Sequence, residues 1–191
     1  MTDYQQKLEE QQREKQRLQK FKNEMTKFIM TSRFNNETWE ENVKYRERLK
    51  HKGCIYCCPV EVTQKIPYDS LMFVLEMNND TNQIIGIGMV KNHPIMEKYK
   101  VYSEGNYNRY VFVGNNRIDR TAMNEDEESI MKLFDRLCFK GNRHMKRGQG
   151  LRSFPMELLY ELSKKLDLTK FVVEMFKKRM VSKQENPKPP S

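Results

Sequence analysis

The sequence predicts an α+β chain, with a helix at the N-terminal end, a strand-rich middle and further helices behind it. Three observations predict this. Residues 3–30 are dense in Gln, Glu, Lys and Arg and contain neither Gly nor Pro, a composition that favours helix. Between residues 54 and 119, short apolar runs alternate with turns carrying Asn and Gly, as strands and hairpins do. From residue 125 onward, apolar residues return at spacings of three and four, the helical period. A length of 191 residues is room for one core with an appended element. Ten Phe, nine Tyr and thirteen Met exclude full disorder even though 32% of the residues are charged.

Taken in order, Leu18, Phe21, Met25, Phe28 and Ile29 give the second half of the first segment one apolar face. Tyr4 and Leu8 begin a heptad that Gln11 and Lys15 break, so the expectation is a helix frayed at its start and docked at its end, not a long coiled coil. Its exposed half is a candidate contact for a protein partner. Cys54–Val62 reads as a strand bent or edged by Pro59. Leu71–Glu76 and Gln83–Val90 are the clearest strands, and the polar turn 77–82 between them predicts a hairpin. Arg109–Val113 and Arg117–Asp119 suggest a second hairpin around Gly114-Asn115-Asn116. Gly86 and Gly88 strip one face of their strand of side chains, so a ring, a backbone or a ligand should come close there. Glu125–Leu137 places Ile130, Leu133, Phe134 and Leu137 on one face, Pro155 suits the start of a helix over Met156–Leu166, and Leu168–Met180 reads as one more. The resulting division is a polar helix at 1–30, a β-domain at 31–122, a basic helical region at 123–181 and a disordered tail at 182–191, which holds Pro187, Pro189 and Pro190.

Charge points to the partner. Thirty-five Lys and Arg against 26 Asp and Glu leave +9, and the spread is uneven. Residues 139–152 carry Lys140, Arg143, Lys146, Arg147 and Arg152 with no acid, and residues 164–191 carry eight cations against three acids. A basic loop and a basic end are the footprint of a nucleic-acid contact. Gly141, Gly148 and Gly150 free the loop backbone to approach phosphates. No apolar run reaches the roughly 18–20 residues of a membrane span, and the first residues lack an apolar core and a small-residue cleavage site. An intracellular setting is therefore expected, whether cytoplasm, nucleus or virion.

Catalysis finds little support. Cys54, Cys57, Cys138 and His144 could be assembled into a zinc site on paper, but Ile55 and Tyr56 favour an extended strand that turns Cys54 and Cys57 to opposite faces. Buried free thiols are the expectation, with no metal and no cofactor. Asp69 and Glu76 lack a suitably spaced Lys for a metal-dependent nuclease, and Gly148-Gln149-Gly150 does not follow a strand as a dinucleotide fingerprint would. No convergent acid–base set can be named. Aromatic residues suggest binding instead. Trp39 is the only tryptophan, and Tyr68, Phe73, Tyr107, Tyr110 and Phe112 lie near the strands. Planar walls with a polar group between them are what an unstacked base requires.

The order of Trp39-x-x-Asn42, Ile66-Pro67-Tyr68-Asp69-Ser70-Leu71-Met72-Phe73-Val74, an Asn-rich turn and Gln83-Ile84-Ile85-Gly86-Ile87-Gly88-Met89-Val90 resembles the EVE and YTH branch of the PUA-like superfamily over roughly residues 36–120. The resemblance implies a small twisted β-barrel over residues 31–122, flanked by helices, with a pocket for a base, modified or unmodified. Trp39 and Asn42 match that pocket best. Methyl-adenine readers of the branch use two or three tryptophans, and this chain has one, so Tyr68, Phe73 and Tyr110 would have to supply the other wall. Asn106–Tyr110 and Lys146–Gly150 are also similar in style to uncharacterised proteins of large DNA viruses. The expected function is non-catalytic binding of DNA or RNA, with phosphates on Lys140, Arg143, Lys146, Arg147 and Arg152. The alternative is an assembly component or nucleoprotein of such a virus that contacts genome or acidic partners.

Overall fold

The computed structural model describes residues 3–185. In chain order these form α1 (Asp3–Glu24), β1 (Lys27–Phe34), α2 (Asn36–Arg48), β2 (Cys54–Cys58), β3 (Leu71–Asn78), β4 (Gln83–Lys91), β5 (Tyr110–Gly114), β6 (Asn116–Asp119), α3 (Glu125–Phe139), β7 (Arg152–Ser153), α4 (Met156–Ser163) and α5 (Leu168–Glu185). The chain is a mixed α+β protein.

Five strands make one sheet in the order β6-β4-β3-β1-β7, and β2 and β5 form a separate antiparallel pair. The expected β3–β4 hairpin is present, antiparallel from Leu71↔Lys91 to Asn78↔Gln83 with an irregularity between Glu76 and Met77. β1 runs parallel to β3, Lys27 opposite Leu71 and Phe34 opposite Asn78. Parallel neighbours need a crossover, and residues 35–70, holding α2 and β2, provide it. Side chains alternate across the large sheet. Ile29, Phe73, Leu75 and Met77 face a core with Phe134 of α3, Leu159 of α4 and Val172 and Phe176 of α5. Phe28, Met30, Met72 and Val74 face a second core with Tyr56, Val111 and Phe112 of the two-stranded ladder. The molecule is therefore three layers, with the large sheet between α3, α4 and α5 on one face and the small ladder with α2 on the other.

Several expectations need correction. The first helix ends at Glu24, and Phe28 and Ile29, read as part of its apolar face, lie in β1. Residues 28–32 are buried without a break, a continuous pattern that suits either period; pairing with β3 on one edge and β7 on the other satisfies that backbone as a strand. The expected second hairpin is absent, because β5 pairs with β2 and β6 with β4. One chain thus passes from the small ladder to the large sheet at Gly114-Asn115-Asn116. The two ladders touch there so closely that a Cβ on Gly114 would lie 2.0 Å from the Met89 carbonyl oxygen. Among the described residues the strands do not close into a single hydrogen-bonded ring. α5 continues to Glu185, so residues 182–185 are helical where a tail was expected; residues 186–191 lie outside the described residues. No helix among the described residues is long and apolar enough to cross a membrane.

Gly86 and Gly88 make room for a buried ionic cluster. A Cβ at Gly88 would meet the Tyr56 hydroxyl at 2.0 Å, and one at Gly86 would meet Arg117 Nη2 at 2.6 Å. The bare face of β4 is thus filled by an aromatic ring and a guanidinium.

Candidate functional site

The expected base pocket does not assemble. Trp39 is half-buried in α2, its ring edge-on to Phe34 at 5.0 Å, with the guanidinium carbons of Arg117 and Arg46 at 5.1 and 5.3 Å from its centroid. Asn42 is fully buried and all its polar atoms are used: it donates to the Ile55 carbonyl at 2.8 Å and the Tyr102 hydroxyl at 3.1 Å, and accepts from Arg46 Nε at 2.9 Å. Phe73 points into the helix-covered core against Phe176, ring centroids 5.2 Å apart; its place in the β3 alternation turns it away from Trp39. Tyr68 is 65% exposed and stacks on His93 at 4.7 Å, itself held by Asp69. Tyr68 and Tyr110 share a different hollow, whose lining includes Glu61 and no cation.

A second cavity, of about 220 Å³, lies where the C-terminal end of β1 meets α2, the β3–β4 turn and the basic loop. The sequence places it by two devices. Asn35 ends β1 and caps α2 through a capping box with Thr38, so the chain reverses beside the cavity. Asn78 then accepts from the amides of Asp80 and Thr81 and holds the β3–β4 turn. Phe34, Tyr102 and Tyr107 supply aromatic surface, the last two meeting edge to face at 6.2 Å. Asn42 fixes the Tyr102 wall through its hydroxyl. Met145 and Lys146 carbonyls accept from Arg33 Nε at 2.6 Å and from Asn79 Nδ2 at 3.0 Å, which ties the basic loop down over the cavity.

The polar inventory of this cavity is unbalanced. Among the described residues two buried side-chain atoms lack a hydrogen-bond partner, Arg33 Nη1 and Asn79 Oδ1, and both residues line it. Buried polar groups are almost always paired, and an orphan calls for an explanation such as a ligand. Among the described residues Arg33 also has no carboxylate partner. Burial first, and the charge of Arg152 second, hold its guanidinium below its ordinary pKa range. A larger hollow of about 530 Å³ beside α1 has no such imbalance, since Lys22 in it already pairs with Glu157.

Of the five expected phosphate-binding residues, Lys146 lines the cavity and Arg152 reaches its rim, where a Cβ on Gly148 would sit 3.6 Å from Arg152 Nε and 3.8 Å from Arg33 Cζ. Lys140, Arg143 and Arg147 are exposed on the same segment but outside the lining. None of the five makes an ion pair among the described residues, whereas Lys164, Lys177 and Arg179 of the basic end pair with glutamates. The loop is thus the open positive surface, and the basic end is partly neutralised.

The four cysteines are buried and unpaired. Cys54, Cys57 and Cys58 lie in β2, while Cys138 sits in the opposite core, so they do not converge with His144. Burial pushes the thiols of Cys54, Cys58 and Cys138 up to about 12, and Cys57 higher still. No cluster of three or more His, Cys, Asp or Glu with metal-binding geometry occurs among the described residues.

Sequence reasoning missed Arg33 and Asn79. Signals for both exist: an arginine in a strand segment of apolar and small hydroxyl residues, Phe28-Ile29-Met30-Thr31-Ser32-Arg33-Phe34, and an Asn in the polar run Asn78-Asn79-Asp80-Thr81-Asn82 of the β3–β4 turn. The fold and the cavity define a mixed α+β protein with a small, aromatic-walled, cationic site. Set against protein-family models, curated proteins and solved structures, the chain matches none.

Proposed function

We propose that the protein binds nucleic acid without catalysis, a strand lying along the basic loop 140–152 and one base entering the cavity between β1, α2 and that loop. In this reading the two ladders and their flanking helices act as a half-open PUA-like barrel, with the cavity at its open edge. The observation that carries the proposal is the pair of unpaired buried atoms, one donor and one acceptor, in an aromatic-lined cavity bordered by cations that have no acidic partner. A base edge offers an N–H donor to Asn79 Oδ1, its attached phosphate offers acceptor oxygens to Arg33, and Tyr102, Tyr107 and Phe34 offer planar surface. The size fits one heterocycle: about 220 Å³ falls below the roughly 300–1,000 Å³ of drug-sized ligand pockets.

The test is a salt titration of single-stranded oligonucleotide affinity. Five phosphate contacts give a log–log slope of about −3.5 on single strands. Changing Lys146 and Arg147 together to Ala should flatten it by about 1.4. Tyr107→Ala should weaken binding by about 1–3 kcal/mol at an unchanged slope, since a stacked base and no phosphate is lost. Affinity indifferent to salt would overturn the reading.

A further inference from the structure

We propose that Arg33 and Arg152, meeting over Gly148, form a phosphate subsite that holds the phosphoryl group attached to the nucleotide whose base occupies the cavity. The assignment of that phosphate to a nucleotide rests on the preceding proposal; the subsite itself rests on its own observations.

Two guanidiniums approach one point. Gly148 has φ +110°, and a Cβ built there would lie 3.6 Å from Arg152 Nε and 3.8 Å from Arg33 Cζ. Like charges so close repel, and neither has a carboxylate among the described residues to offset the other. Arg33 spends Nε on the Met145 carbonyl and Nη2 on the Thr31 hydroxyl, and leaves Nη1 buried and unpaired. Elsewhere in the molecule buried guanidiniums are neutralised: Arg117 by Glu76 and Asp119, Arg120 by Glu128 and Asp135. The buried, uncompensated charge of Arg33 is costly in the free protein, and an oxyanion held between it and the exposed Arg152 would offset that cost.

The backbone suits the same ligand. Gly148 and Gly150 both take positive φ, +110° and +66°, conformations that glycine adopts without strain and that leave the backbone open to close approach. A Cβ at Gly148 would touch Arg152 and Arg33 only at van der Waals distance, so both guanidiniums border the same short stretch of backbone. Inorganic phosphate and a nucleotide phosphate share this chemistry. The cavity wall formed by Tyr102, Tyr107 and Asn79 next to the arginines favours the nucleotide.

The experiment is calorimetric titration of the full chain with a nucleoside, its 5′-monophosphate and inorganic phosphate, at matched ionic strength. The monophosphate should bind at least about tenfold more tightly than the nucleoside, with inorganic phosphate weaker than the monophosphate. Arg152→Gln, at an exposed position whose side chain makes no hydrogen bond or ion pair among the described residues, should erase that difference. Arg33→Gln should do the same, and Arg152→Gln keeps the test valid if Arg33→Gln fails to fold. Equal affinity for nucleoside and monophosphate, or a difference that survives in Arg152→Gln, would overturn the subsite, even if salt-dependent oligonucleotide binding persisted. Tighter binding of inorganic phosphate than of the monophosphate would overturn its assignment to a nucleotide. Monophosphate binding lost in Arg152→Gln, in a protein that ignores oligonucleotides, would support the subsite and remove the nucleic-acid reading.

Discussion

Arg117 and Arg33 are both arginines whose guanidiniums lie mostly away from solvent, and they have opposite surroundings. Arg117 donates to both oxygens of Glu76 and to Asp119, Glu76 also accepts from the Tyr56 hydroxyl at 2.8 Å, and Trp39 covers the guanidinium. Burial opposes its charge, but Glu76 outweighs that cost and its pKa rises. Arg33 meets a carbonyl, a hydroxyl and a second arginine, and its pKa falls. A satisfied buried charge is fold architecture. An unsatisfied one beside a cavity is the feature on which the proposed binding site rests.

The contrast breaks first at Glu76. Glu76→Gln leaves Arg117 buried with only the half-exposed Asp119, and should cost about 3–5 kcal/mol of stability by denaturant unfolding. A loss below ~1 kcal/mol would mean the cluster is not the structural one. Trp39→Ala should cost about 3 kcal/mol, since the ring packs on Phe34 and two guanidiniums. Nucleic-acid affinity of the folded fraction should be unchanged; a selective loss of affinity would return Trp39 to the binding site.

Alkaline titration tests the core around these clusters. The folded thiols of Cys54, Cys58 and Cys138 sit near 12, above the ordinary value of 9.0. Above pH 9 the unfolded chain therefore holds fewer protons than the folded one, and unfolding free energy falls as pH rises through the window from 9 to 12. Replacing Cys138 by Ala should shrink that alkaline loss; an unchanged profile would place its origin elsewhere. The smallest effect on stability belongs to Arg152→Gln, expected within about 0.5 kcal/mol of the parent protein, while ligand affinity drops. A large loss of stability there would make Arg152 structural and collapse the contrast with Arg117.

The contrast also explains what could be read in advance. Strands expected at 54–62, 71–76 and 83–90 by their apolar runs and polar turns are found at 54–58, 71–78 and 83–91, and Gly86 and Gly88 signal the close approach of a ring. β1 does not: its apolar residues fit the helical face begun by Leu18 and Phe21, and only pairing with β3, more than forty residues on, decides the matter. The basic loop is legible because charge is local. Its partner groups are not, because Arg33 in β1, Asn79 in the β3–β4 turn and Tyr102 in the segment after β4 lie far from it in the sequence. Trp39 misled for a physical reason, since a lone tryptophan can wall a pocket or cover an ion cluster, and while Arg46 shares its helix, Arg117 comes from β6, nearly eighty residues on.

The position of β1 in the sheet also constrains how the chain is made. One edge of β1 finds β3 once residue 78 exists, but the other waits for Arg152 and Ser153. At a synthesis rate of about 5–20 residues per second, that edge stays open for roughly 4–15 s. During this interval Phe28, Ile29 and Met30, fully covered in the finished protein, border an unpaired backbone, the condition for wrong strand pairing between nascent chains. A ribosome pausing before residue 153 should therefore lower the yield of native protein, and the cavity, bounded by both β1 and the loop that precedes β7, is completed among the last parts of the molecule.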